Sequence, residues 1–206
     1  MVSQVGWQFE LGKKSQLIYK NPDLSSREMR MKIIPAKLQD VHVIELEPHY
    51  DDRGYFARTM CMKEFAAHNL EVSFPQHNTA FSPAKGTLRG MHFQVDPHYE
   101  VKVVRCLRGA IHDVVIDLRP HSSTYLQWEG FELSFENNRQ LYVPRGFAHG
   151  YQTLTTDVVV TYLCSAFYVP NSNGGIRYND PAFAIDWPFK TAILSEKDRD
   201  WPDFRR

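Results

Sequence analysis

From Met31 onward the chain runs in short alternations of apolar and polar residues, each closed by turn residues. Phe131, Leu133 and Phe135 alternate with Glu132, Ser134 and Glu136, the period of a half-buried strand. Residues 110–118 set His112, Val114, Ile116 and Leu118 on one face and Asp113 and Asp117 on the other. Residues 157–165 group Val158, Val160, Tyr162 and Cys164. Further strands are predicted over residues 41–45, 55–58, 76–81, 87–94, 101–108, 140–143 and 150–153. Turns punctuate them at Asp51-Asp52-Arg53-Gly54, Arg108-Gly109, Asn137-Asn138 and Pro170-Asn171-Ser172-Asn173-Gly174-Gly175. Two short helices fit residues 63–68 and 195–200, the second with Ser195 as N-cap.

Many closely spaced strands with almost no helix between them predict an all-β sandwich or barrel, which a jelly roll would close. Residues 1–30 read differently. Gly12-Lys13-Lys14-Ser15 and Asn21-Pro22-Asp23-Leu24-Ser25-Ser26 are turn-like, and apolar residues are sparse between them. This stretch is expected to be a partly flexible N-terminal extension with a short strand near residues 16–19. Residues 31–206 would form one domain.

Composition narrows the function classes. The chain has 206 residues, with 24 Lys and Arg balanced by 24 Asp and Glu. That balance gives no overall pull toward nucleic acid or a membrane surface, and neither partner is expected. No apolar run approaches membrane-spanning length, and the first 30 residues contain no apolar signal core. Cys61, Cys106 and Cys164 are widely spaced and odd in number, making neither a zinc pattern nor a disulfide framework. They read as buried thiols of a cytoplasmic protein.

Two polar motifs interrupt the strands: Leu88-Arg89-Gly90-Met91-His92-Phe93-Gln94 and Pro144-Arg145-Gly146-Phe147-Ala148-His149-Gly150. The second matches the P-x-G-x-x-H motif of cupin-type jelly rolls. The first resembles the other cupin motif, but Gln94 stands where a second histidine ligand belongs. Imidazole and carboxylate hold such metals, and an amide is a poor substitute. The expectation is therefore a cupin-type barrel with no metal and no cofactor. A pocket holding His92, His149, Lys102 and Tyr162 suits proton transfer beside a ketone. An imidazole can take the proton near neutral pH. A cation can steady the enolate oxygen. A tyrosine on the far face can return a proton and invert the carbon.

At this level of detail the chain resembles the dTDP-4-dehydrorhamnose 3,5-epimerase family, metal-free cupins that epimerise nucleotide-linked 4-keto-6-deoxy sugars. The resemblance runs from about residue 31 to residue 204. It is carried by Asp52-Arg53-Gly54-Tyr55-Phe56, Gln76-His77-Asn78, the stretch from Gly86 to Gln94, Lys102-Val103-Val104-Arg105 and the Pro144 motif. It continues through Tyr162, Asn179-Asp180-Pro181, Ile185-Asp186-Trp187-Pro188 and Leu194-Ser195-Glu196-Lys197-Asp198.

The resemblance implies roles. His92 would be the base, oriented by Asp198. Tyr162 would be the acid, and Lys102 would steady the enolate. His149 would sit beside the sugar. Arg53 and Arg89 would clamp the diphosphate, for which a guanidinium fork is suited. Gln76 and Asn78 would bind sugar or nucleotide. Tyr168, or Phe167 in its place, would stack near the base. A homodimer is implied as well. Arg58 stands where the family carries an acidic residue, and a guanidinium there only donates, which alters the base edge it can read. Narrower chemistry (3-epimerase or 3,4-ketoisomerase), a metal-dependent oxygenase and a non-catalytic binding module are the rival readings. Strict alternation puts Arg89 and His92 on opposite faces of their strand, so a bulge at Gly90 is expected.

Overall fold

The structure, a computed structural model, describes residues 30–190 and 192–205. The extension expected over residues 1–30, with its strand near 16–19, lies outside the described residues except for Arg30.

The strands in chain order are β1 (Met31–Pro35), β2 (His42–Leu46), β3 (His49–Asp51), β4 (Gly54–Phe56), β5 (Gln76–Ser82), β6 (Leu88–Gln94) and β7 (Lys102–Arg108). They continue with β8 (Ala110–Asp117), β9 (Trp128–Ser134), β10 (Arg139–Val143), β11 (Phe147–Thr153), β12 (Val158–Cys164) and β13 (Asn173–Gly175). Helices α1 (Met62–Ala67) and α2 (Glu196–Arg199) are short. One sheet orders β1-β2-β10-β7-β12-β5 and the other β13-β6-β11-β8-β9, with β3 and β4 forming a separate hairpin. The crossovers between the two sheets make the cupin-type jelly roll that the strand pattern predicted.

Three apolar clusters explain why the sheets pack as they do. Between them lie Val104, Ile111, Val115, Leu141, Val158 and Val160, with Phe147 and Tyr151 beside them. Outside the first sheet, Phe65 of α1 packs against Ile44, Val103 and Tyr142. Outside the second, Ile176 and Phe183 from the C-terminal segment cover Met91, Val114 and Ile116. Each fully buried Val, Leu or Ile stabilises the fold by about 1.5–3 kcal/mol relative to its exposed state.

That outer layer accounts for a departure from simple alternation. Residues 110–118 alternate as expected, but in β8 both faces are covered: His112 is tucked beside Trp187, and Asp113 and Asp117 are fully buried on the inner side. Phe135 falls after the end of β9 and is exposed, so it does not continue that strand's buried face. The Asn173-Gly174-Gly175 stretch, read as a turn, pairs with β6 through Phe93 and Gln94. Its pairing is made by backbone alone, so no side-chain pattern announces it. Both expected helices are present, and Ser195 Oγ accepts from the Asp198 N–H at 3.1 Å, as an N-cap should. No helix among the described residues is long and apolar enough to cross a membrane.

Candidate active site

The site begins with a register change. His92 pairs with His149 and Arg89 with Tyr151, so Gly90 and Met91 of β6 together oppose Gly150 of β11. The extra residue is the bulge expected at Gly90, which sits at φ +135°, a conformation open to glycine. It turns Arg89 and His92, three residues apart, toward the same cavity.

That cavity has two adjoining lobes of about 360 Å³ and 330 Å³. Arg89, His92, Lys102, Tyr162, Ser195 and Asp198 border both. His149 and Tyr151 belong to the first lobe; Gln76, Asn78 and Tyr168 belong to the second.

His92 reaches Asp198 across 106 residues of sequence, Nε2 to Oδ1 at 2.5 Å. Asp198 is buried on α2, while the His92 side chain stays 41% exposed toward the cavity. Burial by itself would raise the Asp198 carboxyl. The hydrogen bond and charge of His92 outweigh it, helped by the Gly90 backbone and Ser195, and hold the carboxyl below its ordinary range. Asp198 is thus an ionised acceptor that orients the imidazole.

Tyr162 stands on β12, in the sheet opposite β6, with Asn78 of β5 as its direct cross-strand neighbour. Burial pushes its hydroxyl up, reinforced by Cys164 and Glu100 and opposed by Arg89. It remains a neutral proton donor at ordinary pH. Lys102 Nζ lies 3.1 Å from Glu100 Oε1, both side chains largely buried. His149 Nε2 meets both oxygens of Asp113, at 3.0 and 2.9 Å, in the barrel interior.

At the mouth, Gln76 Oε1 accepts the Tyr168 backbone N–H at 3.0 Å, and Tyr168 Oη accepts from Asn173 at 2.7 Å. Tyr168, not Phe167, borders the lobe. Gln76 also donates to Asn78 at 3.3 Å. Arg89 Nε donates to Ser82 Oγ at 3.2 Å and Nη2 to the Phe81 carbonyl at 3.1 Å.

Nine of the eleven site residues expected from sequence therefore meet at one cavity: His92, Tyr162, Asp198, Lys102, Arg89, Gln76, Asn78, His149 and Tyr168. Arg53 and Arg58 do not. Arg53 sits on the β3–β4 hairpin with its side chain 90% exposed, paired to Asp51. Arg58 is ion-paired to Glu64 of α1 at 2.8 Å. Two carboxylates that hold the site went unassigned. Glu100, just before β7, pairs with Lys102. Asp113 shares the inner face of β8 with Ile111 and Val115, and a carboxylate at that register was the available signal. Among the described residues, no group of three or more His, Cys, Asp or Glu is clustered to hold a metal ion.

A cupin-type jelly roll whose interior sets an oriented imidazole on one sheet against a neutral tyrosine on the other has the architecture of the cupin-type epimerase class. The chain belongs to the dTDP-4-dehydrorhamnose 3,5-epimerase family, which matches residues 35–206. It is 42% identical over 177 residues to the dTDP-4-dehydrorhamnose 3,5-epimerase of Methanothermobacter thermautotrophicus, covering 84% of this chain and 95% of that one. The crystal structure of the Bacillus anthracis dTDP-4-dehydrorhamnose 3,5-epimerase with TDP and PPi bound superposes with a TM-score of 0.83 at 40% identity, over 85% of this chain and 100% of that one. A 3'-monoepimerase from Streptomyces bikiniensis in complex with dTDP-quinovose gives a TM-score of 0.77 at 31% identity, over 82% and 86% of the two chains.

Proposed function

We propose that this protein epimerises carbons 3 and 5 of a nucleotide-linked 4-keto-6-deoxyhexose of the dTDP-4-dehydro-6-deoxyglucose type. The observation that carries this reading is the His92–Asp198 pair facing Tyr162 from the opposite sheet, with Lys102 bordering the same space.

Asp198 accepts the Nε2 proton of His92, which leaves Nδ1 as the basic nitrogen. His92 then takes the proton from a carbon next to the ketone. The electron pair moves into the C–C–O system, and the oxygen becomes an enolate. The Lys102 ammonium and the His149 imidazole stabilise that charge in a water-poor interior. Tyr162 delivers a proton to the opposite face of the carbon, and the centre inverts. Positioned acid and base groups contribute on the order of 10²–10⁴-fold each.

Arg89 holds the diphosphate, Gln76 and Asn78 hold sugar or nucleotide, and Tyr168 stacks on the base. Arg53 lies on an exposed hairpin away from the cavity of its own chain. It serves the diphosphate from the partner subunit of a homodimer, while Arg58 lies outside the cavity, paired to Glu64. The protein works in the cytoplasm, without a metal or cofactor.

The test is solvent deuterium. In D₂O the protein should place deuterium at both carbons of the 4-keto sugar nucleotide and yield the inverted product by NMR. Exchange at carbon 3 alone would move the assignment to a 3-epimerase, a second reading favoured by the likeness to the Streptomyces bikiniensis monoepimerase. Exchange at neither carbon would refute the epimerase reading.

A further inference from the structure

Tyr151 plays no part in the reaction as derived, yet its hydroxyl is a buried polar group at the cavity with no hydrogen-bond partner. The residue is 4% exposed and borders the first lobe, and its oxygen makes no hydrogen bond. A buried hydroxyl without a partner is costly, so a native site that keeps one invites the question of what fills it.

The surrounding groups answer in part. Ser82 is the nearest hydroxyl and acts on the phenol's ionisation as a hydrogen-bond partner would, but the Tyr151 hydroxyl meets no hydrogen-bond geometry with it; Ser82 Oγ is taken up by Arg89 Nε at 3.2 Å. Asp113 is also in electrostatic range, but both its oxygens meet His149 Nε2. Tyr162, another protonated phenol, borders the same lobe. Arg89 is Tyr151's cross-strand partner and brings a cation that has only donors to offer. Burial raises the Tyr151 phenol to about 12, so it too is a donor. The acceptors at hand, Ser82 Oγ and the Asp113 carboxylate, are already engaged by Arg89 and His149, so these donors describe the complement of a further oxygen.

We propose that Tyr151 is a ligand-binding residue whose hydroxyl donates to an oxygen of the bound sugar nucleotide, beside the oxygen held by Arg89. The inference rests on the sugar-nucleotide reading of the site. The oxygen belongs either to the diphosphate or to the hexose, and each accepts such a bond. The unpartnered hydroxyl is then a device for the bound state: it weakens the empty protein and strengthens the complex.

The experiment compares wild type with Y151F by isothermal titration calorimetry against dTDP and against dTDP-glucose, which lacks the ketone and does not react. A weakening on the order of tenfold toward both ligands assigns the bond to the diphosphate. The same loss toward dTDP-glucose alone assigns it to the hexose. Equal affinities of the two proteins for both ligands would overturn the proposal. Without ligand, Y151F should melt at or above the wild-type temperature, because it loses an unpaired polar atom; a lower melting temperature with unchanged affinities would mark Tyr151 as purely structural. Deuterium uptake by wild type in parallel separates the two readings. If wild type exchanges nothing but Y151F still loses affinity, the epimerase assignment fails and the Tyr151 contact stands.

Discussion

Gly90 and Gly150 touch backbone to backbone: a Cβ on Gly90 would stand 2.5 Å from the Gly150 Cα and 3.0 Å from the His149 carbonyl oxygen. Neither atom belongs to a side chain that can swing away, and φ at Gly90 is +135°. Gly90→Ala should therefore cost about 2–4 kcal/mol from strain and forced separation of β6 from β11. It should also uncouple Arg89 from His92. Urea unfolding and deuterium exchange measured on the same protein would read both effects; a stable, fully active variant would contradict the close approach.

Replacing Asp198 by Asn keeps the size of the side chain but removes the charge that orients His92. Exchange of deuterium into substrate should fall by about 10²–10⁴-fold while the fold persists. The Asp198 carboxyl is held below its ordinary value of 3.8, so its contribution to stability is present above that value. It is lost as pH falls through the lowered folded value. Acid unfolding of D198N, followed by circular dichroism, should lack this share of the acid-side loss.

Tyr162→Phe separates proton removal from proton return. His92 and Lys102 are untouched, so the variant should still exchange deuterium at the carbons next to the ketone. Its yield of inverted product should fall by about 10²–10³-fold. Because burial raises the Tyr162 hydroxyl above 10.0, wild type should keep its acid protonated across the neutral range. Any alkaline fall in turnover traced to this group should lie above pH 10 and be missing in Y162F.

His112 provides a pH dependence outside the site. Its ring is enclosed by Trp187 and by Gly130, and its Nε2 has no partner. Burial lowers its proton affinity from the ordinary 6.5, against the pull of Asp113, Asp186 and Glu132. The unfolded chain thus takes up this proton more readily than the folded one. The fold loses no stability to His112 above pH 6.5 and loses it progressively as pH drops from there toward the lowered folded value. His112→Phe, which keeps a ring against Trp187, should flatten the melting temperature across that acid range and leave deuterium exchange intact.

Much of this was legible in the chain, for physical reasons that can be named. The strands of the jelly roll carry period-two apolar faces, and the Ser195 N-cap marks α2. The bulge followed from a conflict between two facts, alternation along β6 and the need for Arg89 and His92 on one side. Other features leave no such trace. β13 is built from Asn173, Gly174 and Gly175, whose backbone pairing to β6 needs no apolar side chain. The pattern of β8 sets Asp113 opposite Val114 and Ile116 but does not tell which face the C-terminal segment covers and which turns into the barrel. Tyr151 follows the Pro144 motif as one more aromatic of the strand predicted over residues 150–153, and only three-dimensional placement reveals that its hydroxyl is alone. Arg53 belongs to a motif, yet it lies on an exposed hairpin outside the cavity, which no feature of the motif itself announces.

The carboxylate that orients His92 comes from the same C-terminal segment that lays Ile176 and Phe183 over the second sheet. The barrel closes through long strand pairs, whereas this segment is joined to it by the short strand β13, a few backbone bonds at Ile176 and Ile193, an outer apolar layer and a short helix. Local opening of such a layer takes less free energy than opening of the barrel. Activity and foldedness are therefore separable quantities in this protein. Mild heat or a protease that frees the segment would leave a barrel that looks native by its strand content and has no competent base.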